Sequence, residues 1–222
     1  MKFSIKKEVL LEALNKVSKA ISTKNVIPVL AGIKFHLNKK KLTLTASDND
    51  ITIETSIPCD NENIILKEEG SIIIQGKYIL DIVRKLPDEF INIEVVDDLK
   101  ILIYTENSEF NLNGISEKEY PSIELIESKN HIELSKTTLK EIVNQTAFAT
   151  SLDENKAILN GINFNIIGNI LECNATDSYR LARKVINLST TAEENLNIVI
   201  PSKNLVEFTR ILSEGDEKIE VH

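Results

Sequence analysis

Polar and apolar residues alternate at the start of the chain, Lys2-Phe3-Ser4-Ile5, which predicts a strand over 2–5. The period then lengthens, and Leu10, Ala13, Leu14 and Val17 share one side of a helix over 7–19. Residues 24–28 read as a loop, and 29–57 alternate again in two or three strands. A polar loop over 60–70, holding a short strand at 64–66, leads into a strand at 71–74. A second helix follows over 77–86, stopped by Pro87, and then short strands at 91–96, 99–104 and 109–113. Residues 116–128, with Pro121, read as a linker. The remainder runs the same way: a strand at 131–134, a helix at 136–149, a run of strands, a strand at 198–200 and a helix at 202–212.

The likeness of the two halves extends to single residues. At an offset of 129, the stretch 157–186 falls on 27–57, placing Gly161 on Gly32, Phe164 on Phe35, Leu171 on Leu42, Ala175 on Ala46 and Asp177 on Asp48. So long a repeat marks a duplicated domain, because solenoid units recur at roughly 20–50 residues. A weaker symmetry at an offset of 69 puts Phe3 on Ile72, Leu10 on Ile79 and Leu14 on Val83. The pattern therefore predicts an α+β fold with two domains, 1–126 and 127–222, each made of two strand–helix–strands units. Ile219-Glu220-Val221 matches Ile93-Glu94-Val95, yet the first domain continues past that point through two more strands. The second domain is expected to be incomplete and the chain to be a piece of a longer one, since an uncovered strand edge is a liability.

Composition narrows the class. Apolar residues make up 42% of 222 positions, with no Trp, so the core must be mostly Ile, Leu and Val. No apolar run reaches the roughly 20 residues of a membrane helix, and the N-terminus has no signal-peptide pattern. Cys59 and Cys173 form no metal or redox motif, which suits a reducing compartment. A formal charge of −8 argues against a protein that coats nucleic acid over its whole surface but leaves room for a local basic face.

Such a face is offered by two helices. Steps of about 100° put Ile79, Ile82, Val83 and Leu86 on one side of the second helix and Lys77, Asp81 and Arg84 on the other. The last helix repeats the arrangement, with Leu205, Phe208, Thr209 and Leu212 inward and Lys203, Glu207 and Arg210 outward. A Lys and an Arg seven residues apart lie about 10 Å apart along the axis on one face, a spacing suited to phosphates. The bland alternative is an ordinary solvated face with an i,i+3 ion pair.

Catalytic constellations are lacking. Asp48 and Asp177 each follow Ala-(Ser/Thr) at a strand end and could pass for paired carboxylates, but repeat symmetry puts them in separate domains. An Asp at that position commonly bonds the backbone of the turn that follows it. His36, His131 and His222 lie far apart with no ligand spacing, and the seven glycines make no phosphate loop. No metal or cofactor is expected.

The stretches MKFSIKKEVLLEAL, IPVLAGIKF, LNGINF, NATDSYRLA and IVIPSKNLVEFTRIL resemble the bacterial sliding clamps, the beta subunit of DNA polymerase III, over essentially the whole chain. The resemblance implies the DNA clamp fold, with three such domains per chain and helices on one face of antiparallel sheets. It further implies a head-to-tail homodimer at full length, closed as a ring around duplex DNA. The function so implied is that of a cytoplasmic, non-catalytic processivity factor that tethers the replicative polymerase. By that resemblance a third domain is expected to be missing from this chain.

Clamps carry basic residues toward DNA at positions matching Lys24 and Lys156, and the helical Lys77, Arg84, Lys203 and Arg210 join them as candidates for sequence-independent contact. The resemblance also implies a pocket between the second and third domains for short linear peptides of polymerases, the clamp loader and repair proteins. Its second-domain side matches Leu159, Thr176, Ser178, Tyr179, Arg180 and Leu181. For Leu159 and Leu181 the alternative is a place in the strand core. At Ser178–Tyr179 clamps often carry a Gly or a His, a local departure here. Other readings are a β-rich interaction protein unrelated to DNA, and an enzyme built on Asp48 or Asp177.

Overall fold

A computed structural model describes residues 1–21, 27–97, 99–122, 131–153, 155–189, 195–213 and 215–221. The chain divides into two compact units, Met1–Ile123 and Glu124–His222. The expected boundary at 126/127, together with Lys24 and His222, lies outside the described residues.

The first unit runs β1 (Lys2–Lys6), α1 (Lys7–Val17), β2 (Gly32–Leu37), β3 (Lys41–Ser47), β4 (Thr52–Pro58), β5 (Ile64–Glu68), β6 (Gly70–Gln75), α2 (Gly76–Lys85), β7 (Phe90–Val96), β8 (Lys100–Tyr104) and β9 (Glu109–Asn113). Every pairing is antiparallel. The strands make two sheets, ordered β5-β1-β7-β8-β9 and β4-β3-β2-β6. The two halves of the unit exchange their leading strands. β1 joins β7, with Lys2 opposite Glu94, and β6 joins β2, with Ile74 opposite Ile33. The helices pack on each other, α1 against β3 and β4, α2 against β2 and β6. Leu10, Leu14 and Val17 from α1 and Ile79 and Val83 from α2 are buried with Phe3, Phe35, Leu44 and Ile72. That is the stripe the 3.6-residue period predicts.

The second unit runs β10 (Ile132–Ser135), α3 (Lys136–Thr146), β11 (Gly161–Ile167), β12 (Ile170–Thr176), β13 (Leu181–Asn187), β14 (Leu196–Pro201), α4 (Ser202–Ile211) and β15 (Lys218–Val221). The exchange recurs: β14 joins β11 in the sheet β13-β12-β11-β14, and β10 pairs with β15. Its core is Leu139, Ile142, Val143, Ile162, Phe164, Leu171, Cys173 and Leu205. Beside it lies an apolar cavity of about 270 Å³ lined by Leu139, Phe164, Ile200, Leu205, Phe208, Ile219, Glu220 and Val221. Burial pushes the Cys173 thiol up to about 12, so it stays protonated and inert.

Gly32 and Gly161 show why the repeat keeps glycine at the first residue of β2 and β11. A Cβ at Gly32 would meet Ile73 Cγ2 at 2.4 Å, and one at Gly161 the Ile200 carbonyl oxygen at 2.7 Å.

The linker expectation over 116–128 needs correction in its first part. Ile115 bridges to Ile73, a 3-10 turn spans Glu117–Glu119, and Tyr120 is buried against Val29, Leu30 and Ile73. Polar composition concealed one aromatic anchor that ties this segment to the first unit. Residues 123–130 lie outside the described set.

Candidate partner and nucleic-acid surfaces

The β12–β13 hairpin carries most of the candidate peptide residues, and its turn is built by one carboxylate. Asp177 Oδ1 accepts from the Tyr179 N–H at 3.0 Å and the Arg180 N–H at 3.1 Å, while Oδ2 accepts from Arg180 Nε at 3.0 Å. The Tyr179 N–H foremost, then the N–H and guanidinium of Arg180, hold the Asp177 carboxyl below its ordinary range. Thr176 Oγ1 donates to the Arg180 carbonyl at 2.7 Å and accepts from the Ser178 N–H at 3.1 Å. Ser178 sits at φ 79°, in the left-handed region where glycine costs least.

The equivalent turn of the first unit is the same in geometry and different in chemistry. Asp48 Oδ1 accepts from the Asp50 and Ile51 N–H groups at 3.1 and 3.0 Å, and Asn49 stands at φ 79°. Both aspartates therefore serve turns, as their positions suggested. The side chains that follow are Asp50, Ile51 and Thr52 in one copy and Tyr179, Arg180 and Leu181 in the other.

Those last three side chains point into solvent. Tyr179 is 95% exposed and Leu181 67%, which removes Leu181 from the strand core. Leu159 is half-buried in a 3-10 turn, Ala157–Asn160, and its carbonyl accepts from the Ser151 N–H at 2.9 Å. Apolar residues outside the expected set are also exposed in this unit, among them Phe148 at 60%, Leu152 and Ile158. The Arg180 guanidinium carbon lies 5.6 Å from the centre of the Phe148 ring. No sequence period links residues 148 and 180; the signal available was an aromatic in a segment whose neighbours Ala147 and Ala149 were small.

The hairpin is braced below the turn. Arg183 Nη2 lies 2.5 Å from Glu172 Oε2, and Asn174 Nδ2 donates to Glu172 Oε1 at 2.9 Å. The Arg183 hydrogen bond, with that of Asn174 second, holds the Glu172 carboxyl at about 2, against an ordinary 4.5. Because the folded value is depressed, the stabilisation is present above about pH 4.5 and is lost as pH falls toward 2. Arg183→Ala is expected to return the Glu172 titration most of the way to its ordinary value, as read by NMR of its side-chain carboxyl carbon. An unchanged midpoint would show that Arg183 does not set it.

The candidate cations among the described residues are on the surface. Lys77 and Arg84 on α2, Lys203 and Arg210 on α4, and Lys156 before the Ala157–Asn160 turn are exposed. The buried stripe of α2, Ile79 and Val83, faces the opposite way. The two helices differ in one respect: Arg210 is ion-paired with Glu207, whereas among the described residues Arg84 makes no ion pair. Lys16 on α1 is held by Glu12 at 2.6 Å. Among the described residues no group of three or more His, Cys, Asp or Glu could hold a metal, and no helix is long and apolar enough to cross a membrane.

Comparison with known proteins agrees along the whole chain. The DNA polymerase III beta subunit N-terminal domain matches residues 1–124, and the central domain of the same subunit matches 133–222. Beta sliding clamps of Halalkalibacterium halodurans and Bacillus subtilis are 41% and 38% identical over all of this chain. The chain spans about 60% and 59% of their lengths. The crystal structure of the Bacillus subtilis clamp superposes with a TM-score of 0.96 at 38% identity, covering 99% of this chain and 59% of that one. The beta chain from Streptococcus pneumoniae gives 0.94 at 34%, covering 99% and 59%. By these matches, and by the antiparallel duplicated fold that they share with it, the chain belongs to the DNA polymerase III beta subunit family.

Proposed function

We propose that this chain serves in a DNA polymerase processivity factor, a non-catalytic, cytoplasmic sliding clamp that encircles duplex DNA and tethers polymerase by topology. The observation that carries this reading is the recurrence, on α2 and α4, of an exposed Lys and Arg seven residues apart. Such side chains meet phosphates and no bases, so they hold a duplex without fixing its position. Lys156 extends the set, and Lys24 is retained on the family resemblance alone. At full length the protein forms a head-to-tail homodimer. The peptide site on the second unit, with Leu159, Thr176, Ser178, Tyr179, Arg180 and Leu181, receives short linear segments of the polymerase, the clamp loader and repair proteins. Exposed Tyr179 and Leu181 beside Arg180 support that assignment, since aromatic and Arg anchors dominate interfaces of this kind.

The DNA reading is tested by salt. Binding of duplex to the chain is measured between roughly 50 and 200 mM salt, where counterion release makes the dependence steep. Charge reversal at Lys77, Arg84, Lys203 and Arg210 is expected to flatten the log–log slope by about 0.9 for each phosphate no longer neutralised. Arg84→Glu should exceed Arg210→Glu, because Arg210 must leave Glu207 before it can meet a phosphate. A slope indifferent to all four reversals would remove these helices from the DNA surface.

A further inference from the structure

We infer that Phe148 is a positioning residue for partner recognition, holding the Arg180 guanidinium in place for hydrogen bonds to a bound peptide's main chain. The inference rests on the reading of the β12–β13 turn as a peptide site. Arg180 is fixed at three points. Its own backbone is clamped by Asp177 and Thr176, its Nε is bound to Asp177 Oδ2 at 3.0 Å, and its guanidinium carbon stands 5.6 Å from the centre of the Phe148 ring. One of the five guanidinium N–H groups is thereby used. The four on the terminal nitrogens make no hydrogen bond among the described residues, and the side chain is 58% exposed.

An exposed arginine without such restraints would sample many rotamers and lose that freedom on binding. Held between a carboxylate and a ring, it has surrendered most of it beforehand. The chemistry also selects the acceptor. Asp177 already offsets the positive charge, so a partner carboxylate would gain little net attraction from the pair. Main-chain carbonyls suit the terminal N–H groups, and every peptide has them whatever its side chains. The first unit lacks the device entirely, since Ile51 stands where Arg180 does.

The test is a fluorescence anisotropy titration with a labelled clamp-binding peptide from a bacterial replicative polymerase. The proteins are the wild-type chain, Phe148→Leu, Phe148→Tyr, Arg180→Ala and the double variant Phe148→Leu/Arg180→Ala. Phe148→Leu should weaken binding roughly two- to five-fold, the scale of one exposed cation–π interaction, and Phe148→Tyr should retain it. In the Arg180→Ala background the Leu substitution should cost nothing further, because the ring acts through the guanidinium. A second readout needs no peptide: the Arg180 Hε resonance should move downfield in Phe148→Leu as the ring current disappears. Wild-type affinity in Phe148→Leu, a loss that adds in full to that of Arg180→Ala, or an Hε resonance that stays put would overturn the positioning role and leave the peptide site standing. Failure of the wild-type chain to bind the peptide would remove the site itself, and the role with it.

Discussion

Leu181→Asp is expected to weaken binding of a polymerase-derived clamp peptide by about thirty-fold or more, the range of an interface hot spot. Leu181 opens β13 and is largely solvent-exposed, so its apolar surface contributes little to the fold and is available to a partner. Aspartate there would remove that surface and set a second carboxylate four residues from Asp177, within the proposed peptide site. The melting temperature should stay within a degree or two of the wild type, since the core keeps all of its packing. Anisotropy and thermal melting together decide the matter. Undiminished binding by a folded Leu181→Asp chain would place the peptide elsewhere on the molecule.

The second large effect concerns stability, and the repeat supplies its own control. Phe35 and Phe164 occupy equivalent positions on β2 and β11, each with its ring in its own unit's core. Phe35→Ala is expected to cost about 3–5 kcal/mol, because a closed core relaxes little around the hole that is left. Phe164→Ala should cost less, since Phe164 already borders the cavity of about 270 Å³ and packs against fewer atoms on that side in the wild type. Urea unfolding of the two variants, followed by probes specific to each unit, measures the difference. Equal losses would mean that the cavity is filled in solution.

Much of this arrangement is written in the order of side chains. The stripe of Leu10, Leu14 and Val17, the alternation of β2 to β4 and the offset that lays Phe164 on Phe35 depend on local periods, which a sequence displays directly. Asp48 and Asp177 were legible as turn-formers for the same reason, since the groups they bind lie two and three residues ahead. What eluded the sequence is long-range. No period reports that Tyr120 returns to Val29 and Ile73, so its segment read as linker. Nothing local joins Phe148 to Arg180, and nothing in a helical wheel explains why Glu207 takes Arg210 while Asp81 leaves Arg84 alone. Such choices belong to rotamers and neighbours, which exist only once the chain is folded.

The exchange of leading strands sets a timetable for synthesis. β1 lies between β5 and β7, so Phe3 and Ile5 cannot complete their ladder until Ile91 and Ile93 have left the ribosome. At ordinary rates of translation that wait is on the order of ten seconds, long on the scale of hairpin formation. During it a bare apolar strand could pair with another nascent chain. Lys2 and Lys6 bracket the segment and act as gatekeepers through that interval. Of their later partners, Glu62 at 3.5 Å is made during the wait and Glu94 at 2.7 Å only at its end. The same lysines thus guard the strand against strangers first and fasten it to its own sheet afterwards.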